Sequence, residues 1–95
     1  MSLLDEARVE INDVDSQLVK LFERRMKAVE GVIKYKMENN LPIFDAAREA
    51  ANIARTTGMI ENEELKSYFE DWYTYTMKVS KNYQQAILDA SKEEK

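Results

Sequence analysis

The chain has 95 residues, 44% apolar and 34% charged, with two glycines, one proline and a net charge of −4. That is the composition of one helix-rich globular domain spanning residues 1–95, and its acidic balance argues against a general affinity for nucleic acid. The lack of cysteine excludes disulfides and thiolate chemistry, and the lack of histidine removes the commonest general base and metal ligand, so no metal is expected.

The opening residues MSLLDEARVE lack a basic start followed by an apolar core, and no run approaches the roughly 18 apolar residues that a membrane span needs. A cytoplasmic protein without a membrane partner is the expectation. A chain this short buries only about 60 to 65% of its unfolded surface by itself, which favours a partner subunit that extends the core.

Leu4, Ile11, Leu18, Arg25 and Val32 recur every seven residues, and Ala7, Val14, Leu21, Ala28 and Tyr35 fill the intervening heptad positions. This predicts one helix from about Leu3 to Asn40, roughly 55 Å long and longer than a small domain is wide. Asn39, Asn40, Leu41 and Pro42 stop it, because proline lacks an amide proton and disfavours helical geometry in the residue before it. Asp45 is the expected N-cap of a shorter, alanine-rich helix over Ala46 to Thr57, with Gly58 as its left-handed C-cap.

Asn62 is expected to cap a third helix with Glu63 and Glu64 in its first turn. Leu65, Phe69, Trp72, Thr76, Val79, Tyr83, Ala86 and Ala90 would form its stripe, and Ser91 to Lys95 a frayed tail. The expected fold is therefore all-α: one very long, one short and one long helix, of roughly 37, 12 and 28 residues, around one core.

Cations interrupt the first stripe. Arg25 takes a central heptad position, while Arg8 and Lys36 flank it. Flanking charges commonly snorkel to water or pair between helices, but an arginine among Leu21, Ala28 and Val32 loses hydration and needs an anion. Asp15, Glu49 or a ligand could supply one. Arg25 and Lys36 are about 16 Å apart along the axis, so their long side chains can close on one small molecule. Arg8 lies about 25 Å from Arg25, beyond such reach, and can join only from another subunit; antiparallel pairing of two first helices would create two equivalent sites. Arg48, with Asp45 before it and Glu49 beside it, can add to this set, as can Ser80 and Gln84, which share a helix face.

ARVEINDVDSQLVKLFERRM, KYKMENNLPIFDAARE and the Ser80/Gln84 spacing in VSKNYQ together resemble the all-helical AroQ class of chorismate mutases over nearly the whole chain. The resemblance implies an intertwined helical homodimer that converts chorismate to prephenate, without a cofactor, in phenylalanine and tyrosine biosynthesis. It implies that Arg25, Lys36 and Arg48 of one protomer and Arg8 of the other bind the two carboxylates and the ether oxygen. Asp45 and Glu49 then serve the hydroxyl and backbone side, and Ser80 and Gln84 close the far wall, with Gln85 the rival to Gln84. Lys36, Gln84 and Arg25 are the residues to which it assigns catalysis. The sequence departs from the bacterial pattern at Ile33, where glycine is common, and at Trp72, Tyr73 and Tyr75.

Two further readings fit these residues. An isochorismate-pyruvate lyase uses a similar cationic site on the same scaffold, and a non-enzymatic helical dimerisation module would use the inward charges only as salt bridges. As the chain ends soon after the third helix, a free-standing mutase is the expected form.

Overall fold

The structure is a computed structural model that describes residues 1–93. Three α-helices, α1 (Leu3–Glu38), α2 (Ala46–Thr57) and α3 (Lys66–Glu93), account for nearly all of it, and a 3-10 turn at Glu63–Leu65 leads into α3. No described residue is in a strand. The all-α class and the three-helix order expected from periodicity are what is observed.

Local chemistry fixes the ends. Ser2 caps α1 reciprocally with Asp5: the Ser2 hydroxyl accepts from the Asp5 amide at 3.1 Å, and the Asp5 carboxylate accepts from the Ser2 amide at 3.4 Å. The helix stops at Asn39, whose backbone and side-chain N–H groups both reach the Tyr35 carbonyl. Asn40 then turns left-handed at φ 56°, and the Leu41 amide donates back to the Lys36 carbonyl at 2.9 Å. Asparagine tolerates this conformation, and the bond satisfies a carbonyl that the helix end would leave open.

Asp45 caps α2 as expected, its carboxylate accepting from the Arg48 amide at 3.0 Å. Gly58 does not take the expected left-handed cap. It stays right-handed at φ −63°, and the chain leaves α2 through the Met59 to Thr56 and Ile60 to Thr57 backbone bonds. Asn62 caps the 3-10 turn rather than α3 itself, and α3 continues through Ser91, Lys92 and Glu93, which the frayed-tail expectation had excluded; Glu94 and Lys95 lie outside the described residues.

α3 packs against both α1 and α2 and is the central element. The stripe that joins α1 to it differs from the heptad stripe. Val29 and Ile33 of α1 meet the layer that Met77, Ser80 and Gln84 form on α3, with Ile33 only 1% exposed. The heptad residues Leu4, Ile11, Leu18 and Leu21 stay 41 to 57% exposed. The stripe expected for the third helix is likewise displaced, since Leu65, in the 3-10 turn, and Trp72 on α3 remain exposed while Met77, Ser80 and Gln84 are buried. Thus α1 carries two apolar faces, and the more regular one is left uncovered along a body measuring 59 × 27 × 15 Å.

One tie outside the core joins the two long helices: the Tyr83 hydroxyl donates to the Glu30 carboxylate at 2.6 Å. That bond, with some burial and the carboxylate's charge, raises the phenol above its ordinary value.

Ile33 fills the position where the resemblance suggested glycine, and it is the most deeply buried large side chain described. Ile33→Ala is expected to lower unfolding stability by about 3 kcal/mol through lost burial and the cavity left behind. Urea denaturation of both proteins at one protein concentration measures this, and a change below about 0.5 kcal/mol would contradict the packing described.

Candidate active site

α1, α2 and α3 meet around one open cavity of about 190 Å³. α1 contributes Arg25, Val29, Val32 and Lys36, the connection and α2 contribute Ile43, Asp45, Arg48, Glu49 and Asn52, and α3 contributes Met77, Ser80, Lys81 and Gln84. Helical spacing explains the grouping: 25, 29, 32 and 36 recur on one face of α1, 45, 48, 49 and 52 on one face of α2, and 77, 80, 81 and 84 on one face of α3.

Seven of the eight residues singled out from the sequence line this cavity. Arg8 does not: it lies exposed in the N-terminal half of α1, outside the lining. Gln84 rather than Gln85 faces the cavity. Gln84 is buried, while Gln85 is exposed and donates to Asp89 at 2.8 Å.

Arg25 is half-buried, donates to the Ser80 hydroxyl and lies 5.8 Å from the centre of the Tyr73 ring. Ser80 in turn donates to the Thr76 carbonyl at 3.0 Å, so its hydroxyl is oriented to accept from the arginine. The anion expected beside Arg25 is neither Asp15 nor Glu49. Glu49 pairs instead with Lys81, at 3.1 Å between Oε1 and Nζ. Lys36 donates to the Ile43 carbonyl at 2.7 Å, which sets its ammonium at the junction of α1 and the connection to α2.

Charge in the cavity is unbalanced. Among the described residues the ion pairs are Lys66 with Glu63 and Lys81 with Glu49, so Arg25, Lys36 and Arg48 have no carboxylate partner. Four cationic residues and two carboxylates line the cavity, a surplus of two positive charges. Asp45 spends one carboxylate oxygen on capping α2. The amide oxygen of Gln84 and the Oε2 atom of Glu49 are buried without hydrogen-bond partners. Unpaired cations around one hollow are what an anionic ligand would complete. Among the described residues no group of three or more acidic side chains could hold a metal ion. No helix of the described residues is long and apolar enough to cross a membrane.

Sequence reasoning did not single out Lys81 or Asn52, both of which line the cavity. Their signals were present, since Asn52 follows Arg48 by four residues and Lys81 precedes Gln84 by three, which places each on the same face as its neighbour.

Comparison with known proteins gives a consistent picture. A family model described as chorismate mutase type II matches residues 7–85. A bifunctional chorismate mutase/prephenate dehydratase of Buchnera aphidicola subsp. Schizaphis graminum is 32% identical over 62 residues, covering 65% of this chain and 16% of that protein. The T-protein of Haemophilus influenzae is 39% identical over 51 residues, covering 54% of this chain and 14% of its own length. The chain therefore corresponds to about one sixth or less of each of these relatives.

Proposed function

The chain belongs to the type II chorismate mutase family, and from that premise we propose that its cavity rearranges chorismate to prephenate, using side chains alone. The observation that carries this reading is the surplus of cations, Arg25, Lys36 and Arg48, left without carboxylate partners around one hollow. A doubly anionic metabolite of carboxylate and ether chemistry fits that surplus.

The rearrangement is pericyclic: one carbon–oxygen bond breaks as one carbon–carbon bond forms, with no nucleophile and no obligatory proton transfer. A chain without histidine or cysteine can therefore support it. Arg25 and Arg48 present guanidinium forks to the two carboxylates, and the planar, two-pronged contact restricts the flexible side chain of the substrate over its ring. The Ser80 hydroxyl, by accepting from Arg25, sets the direction of one fork.

As the ether bond breaks, negative charge grows on its oxygen. Lys36, already held at the cavity by the Ile43 carbonyl, and the Gln84 amide are the donors for that charge. Asp45 and Glu49 serve the hydroxyl side of the substrate, and Ser80 with Gln84 forms the far wall.

The fourth cation is Arg8 from a second copy. The apolar heptad face of α1 is uncovered in the isolated chain, and an antiparallel partner laid along it would cover that face and carry its Arg8 towards the cavity. The protein then works as a cytoplasmic homodimer with two shared sites.

Incubating the purified protein with chorismate should show its loss matched by prephenate. Release of pyruvate from isochorismate without mutase turnover would instead assign the site to a lyase. Gln84 supplies a second test. As an uncharged donor it leaves activity flat across neutral pH, whereas Gln84→Glu donates only when protonated. The variant's kcat/KM should therefore be highest in acid and fall as pH rises through the carboxyl's titration; a flat profile would remove Gln84 from the ether-oxygen contact.

A further inference from the structure

The connection between α1 and α2 carries the acceptor that sets Lys36, yet its backbone is bonded only at its ends. Leu41 donates back to the Lys36 carbonyl, and Asp45 caps α2. Among the described residues, Pro42, Ile43 and Phe44 between them take part in no backbone-to-backbone hydrogen bond. Side chains hold that span. Ile43 lines the cavity, and its carbonyl accepts from the Lys36 ammonium at 2.7 Å. The next side chain, Phe44, is 58% exposed, but its ring is engaged: the Lys81 ammonium of α3 lies 4.7 Å from its centre. Lys81 is in turn fixed to α2, with Glu49 Oε1 3.1 Å from its ammonium.

We propose that Phe44 and Lys81 are positioning residues for Lys36: the Lys81 ammonium clamps the Phe44 ring to α3, and the clamp holds the Ile43 carbonyl where it aims the Lys36 ammonium into the cavity. This rests on the proposed role of Lys36 at the ether oxygen. The link between ring and carbonyl is covalent. The Ile43 carbonyl belongs to the planar peptide group that ends at the Phe44 Cα, so whatever fixes Phe44 fixes the direction of that carbonyl. An aromatic face attracts a cation, and the more so where water is partly excluded. Because Glu49 already holds the lysine, the attraction draws the ring in and leaves the lysine where it is.

The effect on Lys36 follows from its donors. One N–H of the ammonium is engaged by Ile43, which fixes the directions of the others. A donor aimed in advance stabilises developing charge without reorganising, so loosening its acceptor costs transition-state stabilisation and leaves ground-state binding of the substrate nearly unchanged.

Steady-state kinetics of the full chain with chorismate test this in Phe44→Leu, Phe44→Tyr, Lys81→Met and Phe44→Leu/Lys81→Met, and in Lys36→Ala with and without Phe44→Leu. Phe44→Leu keeps the apolar bulk and loses the π face; it should lower kcat about fivefold and move KM by less than about twofold. Phe44→Tyr, which keeps the face, should retain the wild-type kcat. Lys81→Met should lower kcat as Phe44→Leu does and also raise KM, since the Glu49 carboxylate is then left uncompensated beside a dianion. The double variant should have a kcat no lower than either single one, because both remove the same clamp. In the Lys36→Ala background Phe44→Leu should cause no further loss. Damage to folding would instead lower turnover in every background.

A wild-type kcat in Phe44→Leu, a loss shared equally by Phe44→Tyr, or a loss that persists undiminished in the Lys36→Ala background overturns the positioning role while chorismate turnover by the wild type stands. A wild-type protein that converts no chorismate overturns the proposed function and this inference together.

Discussion

Lys36→Ala is expected to lower kcat by at least about a hundredfold while the protein stays folded, the loss of about 3 kcal/mol that follows removal of one preorganised donor to a developing oxyanion. The size of the effect comes from where the lysine sits. It is half-buried, lines the cavity beside Val32 and Ile43, and its ammonium is held 2.7 Å from the Ile43 carbonyl. A cation fixed in that way need not reorganise as charge develops, and each unit of charge it meets is poorly screened. What Lys36→Ala removes from the fold is smaller: one hydrogen bond to a backbone carbonyl, a cost of roughly 1 kcal/mol. The core residues Val29, Ile33 and Met77 are untouched. Turnover by stopped assay and helicity by circular dichroism, read on the same sample, separate the two effects. Native turnover from a folded Lys36→Ala protein would remove the lysine from the chemistry.

Much of this arrangement was legible in the residues. Proline after two asparagines marked the end of α1, and Asp45 marked the start of α2, because capping and the missing proline amide act locally. Helical spacing put Arg25 within reach of Lys36 and Ser80 on one face with Gln84, and it was the resemblance that implied their gathering with Arg48 around one hollow, which they all line.

What could not be read was which apolar face of α1 meets α3. Leu4, Ile11, Leu18 and Leu21 make the more regular series, yet Val29 and Ile33 make the intrachain contact. Periodicity records that a face is apolar and not which body covers it, so a helix with two partners presents two stripes with no label on either. Gly58 failed for a related reason: glycine permits a left-handed residue without requiring one, and the end of α2 closes right-handed. Lys81 was passed over because a lysine on a helix is usually solvated, and only the coordinates bring Glu49 and Phe44 against it.

The uncovered heptad face leads to the second large effect. Arg8→Ala and Lys36→Ala should each be nearly inactive alone, and an equimolar mixture allowed to exchange subunits should recover about one quarter of native activity, as two-fold symmetry requires. Random exchange places half of the protomers in mixed dimers. Each mixed dimer has one pocket with the intact Lys36 of one chain facing the intact Arg8 of the other, and one pocket that has lost both. The expectation rests on length: Arg8 precedes Arg25 by 17 residues on a continuous helix, about 25 Å, so it cannot fold back to the cavity of its own chain. It rests equally on surface, because Ile11 and Leu21 are 55% and 54% exposed between the two arginines, a run of apolar side chains that water does not favour. Lateral association along that run is how a long amphipathic helix buries such a face. Activity that stays at the level of the separate variants after exchange, in a mixture shown by mass spectrometry of intact complexes to contain mixed dimers, would mean that each pocket is complete within one chain. Arg8 would then be only a solvated charge on the exposed half of α1.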